Sequence, residues 1–373
     1  MTFKQMNLRV FEGKLIPGVL FQPRLEPWFV WHRQFGLLPH KYRDMSLLEF
    51  YDELEVSMRY VYGYGTMPDP VQKSYAPNVK TNTECTDKEK ITTVTTLHGD
   101  LVTKSKMTVD GVWRVVDFPV KGPDDFAKLE WLYENTVYSF NQEHFEKGCE
   151  FVGNRGEPQF WVPPSPYQAL CLELMRFEDF IYAAMDMPER VEKVMQAIDN
   201  SYDRIYEEIV DYGKARIINF GENIHSQLTS TRYFEQYHIP FYEKRGGQLA
   251  KAGIYTHIHI DGDFKPLLKH LRHLPFDGLE ALTPLPQGDV SIEEIKEHIG
   301  DKILLDGIPA VLFTTTFALE DVAECVEKLV ELFYPRLILG VSDELPQGVD
   351  ETGIEKINYI SQYCRTRQMV TNN

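Results

Sequence analysis

Cysteine is scarce in this chain, long apolar runs are missing and positive charge is in deficit. Five cysteines occur in 373 residues, namely Cys85, Cys149, Cys171, Cys325 and Cys364. An odd number without a CxxC pair, in a chain of this length, points to a reducing cytoplasm and not to a disulfide framework. No apolar run approaches the roughly 18 residues that a spanning helix requires. The opening MTFKQMNLRVFEGKL alternates charged and apolar residues and has none of the apolar core of a signal peptide. Lys and Arg total 39 against 56 Asp and Glu, a net charge of −17. This balance opposes nucleic acid and anionic membranes, which require basic surface. The familiar nucleotide loops GxGxxG and GxxxxGK[ST] are absent, as are the GxSxG elbow and HExxH.

What is present is ordinary globular composition, 43% hydrophobic and 25% charged, with enough chain for a large core. No repeat, low-complexity tract or Ser/Gly linker divides it. One region, about 77–121, departs from the rest. ITTVTTLHGDLVTKSKMTVDGVWRVVDFPV is rich in β-branched alternation, with turn signals at His98-Gly99-Asp100 and Asp110-Gly111. It reads as a β-meander or hairpin pair inserted into a larger α/β body. FAKLEWLYENTVYSFNQEHF reads as one amphipathic helix, and PERVEKVMQAIDNSYDRIYEEIVDYG as one long helix stopped by Gly213. From about residue 214 onward, helices alternate with short apolar strands: ARIINFG, GIYTHIHIDG, DGLEAL, KILLDG and RLILGV. Such alternation implies parallel strands joined by crossover helices. With GVLFQ and QFWVP upstream, the count approaches the eight of a (β/α)8 TIM barrel. The expectation is an α/β chain, residues 1–373 as a single barrel domain with a small N-terminal β-hairpin insertion.

In a parallel barrel, catalytic groups stand where strands emerge at the C-terminal face. Here acids and histidines occupy five consecutive strand ends: Glu222 and His225, then His257, His259 and Asp261, then Glu280, then Asp306, then Asp343 with Glu344. A buried charge is costly unless it is paired, hydrogen-bonded or bound to metal. His257-x-His259-x-Asp261 has the period of a strand, so all three side chains share one face. Two imidazoles and a carboxylate on one face form a donor set that zinc accepts. The bland alternatives are a hydrogen-bonded core histidine at 257 and helix or turn caps at Asp261, Asp306 and Asp343. Arg24, after the first strand, suits an anionic substrate group or one of the many acids. His270 and His273 read as a solvated helix face.

HIHIDGDFKPLLKHL, FDGLEALTP, GDKILLDGIPAVLF, LEDVAECVEKLVELF and LILGVSDELPQG follow one another in an order that resembles the uroporphyrinogen decarboxylase superfamily. GPDDFAKLEWLYEN resembles the linker helix after that superfamily's β-insertion. The likeness runs from about residue 90 onward and implies the barrel. Two activities follow from it. The decarboxylases carry an N-terminal motif that Trp31-His32-Arg33-Gln34-Phe35-Gly36-Leu37-Leu38-Pro39 echoes at its start. Its second arginine is Leu37 here, which makes a uroporphyrinogen-type decarboxylase, with Arg33 as its anion contact, the runner-up. The other branch holds zinc-dependent methyltransferases working with a corrinoid protein. There His259-Ile260-Asp261-Gly262 matches an H-x-C-G motif, and Asp343 falls near a second cysteine. Both cysteines are aspartates here.

By strand-end position the first-choice metal ligands for Zn2+ are His259, Glu280 and Asp343, with Asp261 and His257 as alternates. Oxygen donors leave zinc a harder Lewis acid than thiolates do, matched to an ether oxygen. The expected reaction is therefore O-demethylation of a small aryl methyl ether, with the methyl passing to the cobalt of a partner corrinoid protein. Glu222, His225 and His257 are expected to orient substrate or move a proton, and Asp306 to fix a histidine tautomer. Arg24, Trp28 and Trp31 are expected against the substrate, with Phe21, Phe29 and Trp161 as further aromatic framing. Methylamine, betaine and thiol donors stay open, and a homodimer is compatible with the superfamily.

Overall fold

The computed structural model describes residues 1–63, 65–109 and 111–367, so Asp110 of the expected second turn lies outside the described residues. In chain order the strands are β1 (Leu20–Phe21), β2 (Val71–Tyr75), β3 (Lys80–Cys85), β4 (Glu89–Thr96), β5 (Gly99–Met107), β6 (Trp113–Asp117) and β7 (Thr136–Phe140). They continue with β8 (Trp161–Val162), β9 (Ile217–Ile224), β10 (Tyr255–Ile260), β11 (Gly278–Glu280), β12 (Ile303–Ile308) and β13 (Leu337–Val341). The chain separates into two compact units, one of residues 1–70, 142–162 and 213–373, the other of residues 71–141 and 163–212. No helix among the described residues is long and apolar enough to cross a membrane.

The first unit is the barrel. Its seven strands form one parallel ladder in the order β1-β13-β12-β11-β10-β9-β8. The two edges of that ladder are bridged by the extended segment 56–61. Ser57 N–H donates to Phe21 O at 2.9 Å on one side. On the other, Val61 N–H donates to Gln159 O at 2.9 Å, Gln159 N–H donates to Arg59 O at 3.1 Å, and Tyr60 pairs with Gln159 in parallel. Segment 56–61 thus serves as the eighth stave of the (β/α)8 ring. Sequence reading does not place it, because a stave joined by isolated bonds carries only a short apolar pattern.

A helix, Phe3–Phe11, closes the floor. Thr2 and Gln5 form a reciprocal capping box at its start. Met6, Val10 and Phe11 then fall on one face and pack with Leu20, Ile217, Ile303, Leu305 and Ile338. The one polar residue this helix buries is Asn7, whose Oδ1 accepts from Gln159 Nε2 and from Glu157 N–H, both at 3.2 Å, and so ties the floor to the polar interior above it.

The second unit holds the β-rich insertion: an antiparallel sheet β3-β4-β5-β6, with the pair β2-β7 beside it. The Thr96↔Gly99 pairing closes the turn expected at His98-Gly99. The single helix expected over 126–145 is interrupted. Phe126–Glu134 is helix, β7 follows, and Gln142–Val152 is helix again. Thr136, Val137 and Tyr138 are β-branched or aromatic and pair with β2, so ladder bonding overrides helical spacing there. The long helix expected after Pro188 is likewise two, Pro188–Ser201 and Asp203–Tyr212.

Candidate active site

The eighth stave delivers the residue around which the barrel interior is organised. Arg59 is 1% exposed and spends all five of its N–H bonds. Nη1 donates to Glu280 Oε1 at 2.5 Å and to Asp306 Oδ2 at 3.2 Å. Nη2 donates to Asp306 Oδ1 at 2.7 Å and to Gln22 O at 3.5 Å, and Nε donates to Gln22 Oε1 at 3.0 Å. Glu280, itself fully buried, also accepts from Tyr60 Oη at 2.6 Å and from the Asn219 amide. His257 places Nε2 2.7 Å from Gln159 Oε1 and Nδ1 3.2 Å from Glu280 Oε2.

Strict alternation along β12 would turn Asp306 away from this cluster, because Ile303 and Leu305 join the floor packing. A left-handed backbone at Asp306, φ 76°, brings it back inward. The neighbouring Gly340 makes room, since a Cβ there would collide with the Asp306 carboxylate. Asp343 is also left-handed, φ 66°, where the chain leaves β13.

Nearer the rim lies a second arginine with two carboxylates. Arg24 Nη1 is 3.0 Å from Asp343 Oδ1 and Nη2 is 3.2 Å from Glu344 Oε2. The Arg24 side chain is 9% exposed, whereas Asp343 is 44% exposed. The Arg24 guanidinium also lies over the rings of Tyr60 and Trp161, at 5.4 and 5.5 Å. Those two rings stack at 3.7 Å, and Tyr62 meets Trp161 edge-on at 5.2 Å. His259 spans the two clusters, with Nδ1 3.8 Å from Glu280 Oε2 and Nε2 3.8 Å from Asp343 Oδ1. Both separations exceed hydrogen-bond length.

The electrostatics follow from this layering. Burial works to raise the Glu280 pKa, but the Arg59 charge and the two histidines hold it well below the usual carboxylate range. Burial and the Glu280 charge push Asp306 up to about 6, against the opposing Arg59 charge. Burial lowers His257, and Glu280 recovers only part of that loss. Burial acts the same way on His259, yet Glu280 and Asp343 together overrule it and raise its pKa. Two imidazoles on one strand face are thus pushed in opposite directions.

Of the residues singled out in the sequence, His257, His259, Glu280, Asp306, Asp343 and Arg24 meet inside the barrel. Glu222 does not join them. On β9, Asn219 points inward to Tyr60, so Phe220 and Glu222 point outward. Phe220 packs on Phe241 and Tyr242, and Glu222 lies 3.9 Å from His238. His225 sits in the loop beyond β9, its Nδ1 accepting from Gln227 N–H at 3.2 Å and its ring against Gly262. Asp261 is half-buried beside that loop, its own N–H donating to Ile224 O at 3.3 Å. Trp28 is fully buried, stacked with His32 and with Phe50, and its indole N–H donates to Val349 O at 2.7 Å. Trp31 packs on His32 and Phe35. Arg33 is exposed, donating to Met45 O and lying over Phe29. The sequence reading missed Arg59, Tyr60, Asn219, Gln159 and Gln22. An arginine inside the apolar run Val56–Val61 is the one signal that marks the first of these.

Zinc requires three or four donors about 2.0–2.3 Å from one point. Among the described residues, no three His, Cys, Asp or Glu side chains form such a group. Glu280 lies on the Nδ1 side of the His259 ring and Asp343 on the Nε2 side. Both carboxylates are already engaged by arginines. This donor arrangement does not fit a zinc ion.

No protein-family model matches the chain, and no curated protein sequence matches it. Among solved structures, a methyltransferase from Methanosarcina mazei is similar at 13% identity and a TM-score of 0.59, covering 97% of this chain and 98% of that one. A B12-independent methionine synthase from Shewanella sp. W3-18-1 aligns at 13% identity over 93% and 95% of the two chains, with a TM-score of 0.47. The chain shares the fold of that methyltransferase, a parallel α/β barrel of the kind the sequence resemblance implies. At this identity the likeness shows the fold alone.

Proposed function

We propose that this protein is a methyltransferase that removes the methyl group from a small aryl methyl ether and hands it to the cobalt of a partner corrinoid protein. The observation that carries the reading is His259. It is favoured as an imidazolium by two carboxylates, yet neither ring nitrogen lies within hydrogen-bond length of them. A proton that neither carboxylate takes up at hydrogen-bond length is available to a leaving group. Through Glu280 and Asp343 it shares neighbours with the Tyr60–Trp161 stack and Arg24, which offer an aromatic face and a cation.

An ether oxygen is a poor leaving group unless its developing negative charge is stabilised. In this reading a proton supplies that stabilisation, in the place of the Lewis acid the resemblance implies. The carbon–oxygen bond breaks with its electron pair remaining on the aryl oxygen. That oxygen takes the proton from His259 Nε2, so the phenol leaves neutral. A reduced corrinoid on the partner protein would supply the nucleophile that accepts the methyl group. Glu280, held ionised by Arg59, favours reprotonation of the imidazole from solvent. The Tyr60–Trp161 stack and Arg24 orient the ring and any anionic substituent.

The test is methyl transfer from methoxybenzenes to chemically reduced cobalamin, followed by the absorbance of methylcobalamin. The expected result is transfer that His259→Gln lowers by about 10²–10⁴-fold, the usual range for a general acid. Transfer from a methylamine, betaine or thiol, and not from an ether, removes the ether assignment. No transfer from any of these donors overturns the reading.

A further inference from the structure

We propose that Arg59 is a built-in cation that stands in the place of a divalent metal between the strand-end carboxylates and keeps one out. It is a statement about binding and does not rest on the methyl-transfer reading. The segment carrying Arg59 approaches from between the ladder's edges, so its guanidinium enters the interior from the side opposite β11 and β12. Glu280 Oε1 accepts from Arg59 and Tyr60, and Oε2 accepts from Asn219 with His257 Nδ1 at 3.2 Å. Asp306 presents both oxygens to the same guanidinium, at 2.7 and 3.2 Å. A metal reaching these oxygens must first evict a cation that is itself 1% exposed and is held by both carboxylates.

The charge count supports the same conclusion. Two carboxylates and one guanidinium leave a single negative charge. A divalent ion in addition would place surplus positive charge in a low-dielectric interior. Remove the guanidinium, and Glu280 and Asp306 lose the counter-ion they share, while His257 and His259 stay 3.2 and 3.8 Å from Glu280. Oxygen and imidazole nitrogen are a donor set suited to zinc. Arg59 is in this sense a positioning residue: it acts through Glu280 and Asp306 and touches no reacting atom.

The experiment is zinc binding to the full chain by calorimetry and by elemental analysis after chelator treatment and dialysis. The wild-type protein is expected to retain well under one zinc and to show no saturable heat. Arg59→Met is expected to take up about one zinc per chain, since ligands released from a counter-ion become available to metal. If Arg59→Met does not fold, Arg59→Lys carries the comparison, because a single ammonium cannot fork to both carboxylates. Zinc uptake above wild type then supports the proposal, and unchanged uptake overturns it. A wild-type protein that holds one zinc, lost in His259→Ala or Asp343→Ala, overturns it. So does a folded Arg59→Met protein that binds none.

Discussion

Two arginines in this barrel each hold two carboxylates, and the difference between them is water. Arg59, Glu280 and Asp306 are at most 1% exposed. Arg24 is similarly enclosed, but its partners Asp343 and Glu344 are 44% and 26% exposed. In the inner cluster every guanidinium N–H is spent, and the group is part of the wall. In the outer one the carboxylates remain wetted, and an arriving anion can compete with them for Arg24. The same residue types therefore make a fixed support in one layer and a replaceable contact in the next. His259 stands between the two and is the group each layer acts upon.

The sharpest way to break this comparison is to remove the inner arginine. Truncating one partner of a buried ion pair leaves its charge uncompensated, at a cost of about 3–5 kcal/mol. Arg59→Met, unfolded in urea without added metal, is expected to lose stability on that scale. A loss below about 1 kcal/mol, the scale of a solvated pair, would show that the inner cluster is not sealed.

A second test uses pH. Asp306 is pushed up to about 6, above the ordinary aspartate value of 3.8. The folded protein therefore holds this proton over a range where the unfolded chain has released it. Its contribution to stability is whole below about pH 4 and is lost as pH rises through about 6. Compared with Asp306→Asn, which cannot ionise, the wild type is expected to lose up to about 3 kcal/mol between pH 4 and pH 7, from a shift of roughly two units. Urea midpoints of both proteins across that range supply the check. A constant difference would mean that Asp306 titrates like an exposed aspartate.

How much of this was legible in the sequence depends on what carries each feature. Seven of the eight staves announce themselves as short apolar runs, and the inward histidines follow from the period of a strand. Glu280 was legible because a glutamate amid DGLEALTP has no surface reason to be there. The outward turn of Glu222 was not, because the phase of β9 is set by which neighbour its Asn219 meets. Asp306 depends on one left-handed residue that alternation does not foresee. Arg59 was hidden for a different reason. It lies 221 residues from Glu280 and 247 from Asp306 along the chain, on a segment too weakly paired to read as a strand. Trp28 shows the reverse error: a tryptophan near a strand end suggests a substrate face, but its ring is fully buried and its N–H is taken up by the core.

At the rim, Arg24→Ala is expected to separate binding from folding. Its stability loss should stay near 1 kcal/mol, because Asp343 and Glu344 regain solvent. Its effect on an anionic substrate should be larger, with KM rising about tenfold, equivalent to roughly 1.4 kcal/mol, and kcat changing little. The KM effect should shrink with added salt, since a half-open pair is screened within about a Debye length. If kcat falls instead, Arg24 acts on the transition state, and the outer cluster belongs to the catalytic wall after all.

The smallest effect belongs to a third arginine, placed near the surface. Arg155 grips Asp52 with two bonds, Nε to Oδ1 at 2.7 Å and Nη2 to Oδ2 at 2.5 Å. This fork geometry is better than that of Arg24 and comparable to that of Arg59. Their side chains are 25% and 54% exposed, however. Water and salt compete for both partners, so Asp52→Asn is expected to cost about 0.2–1 kcal/mol, and less as ionic strength rises. Measured beside Arg59→Met in the same urea series, this variant isolates enclosure from geometry. If the surface pair costs as much as the buried one, fork geometry sets the energies, and the division into sealed and open layers loses its basis.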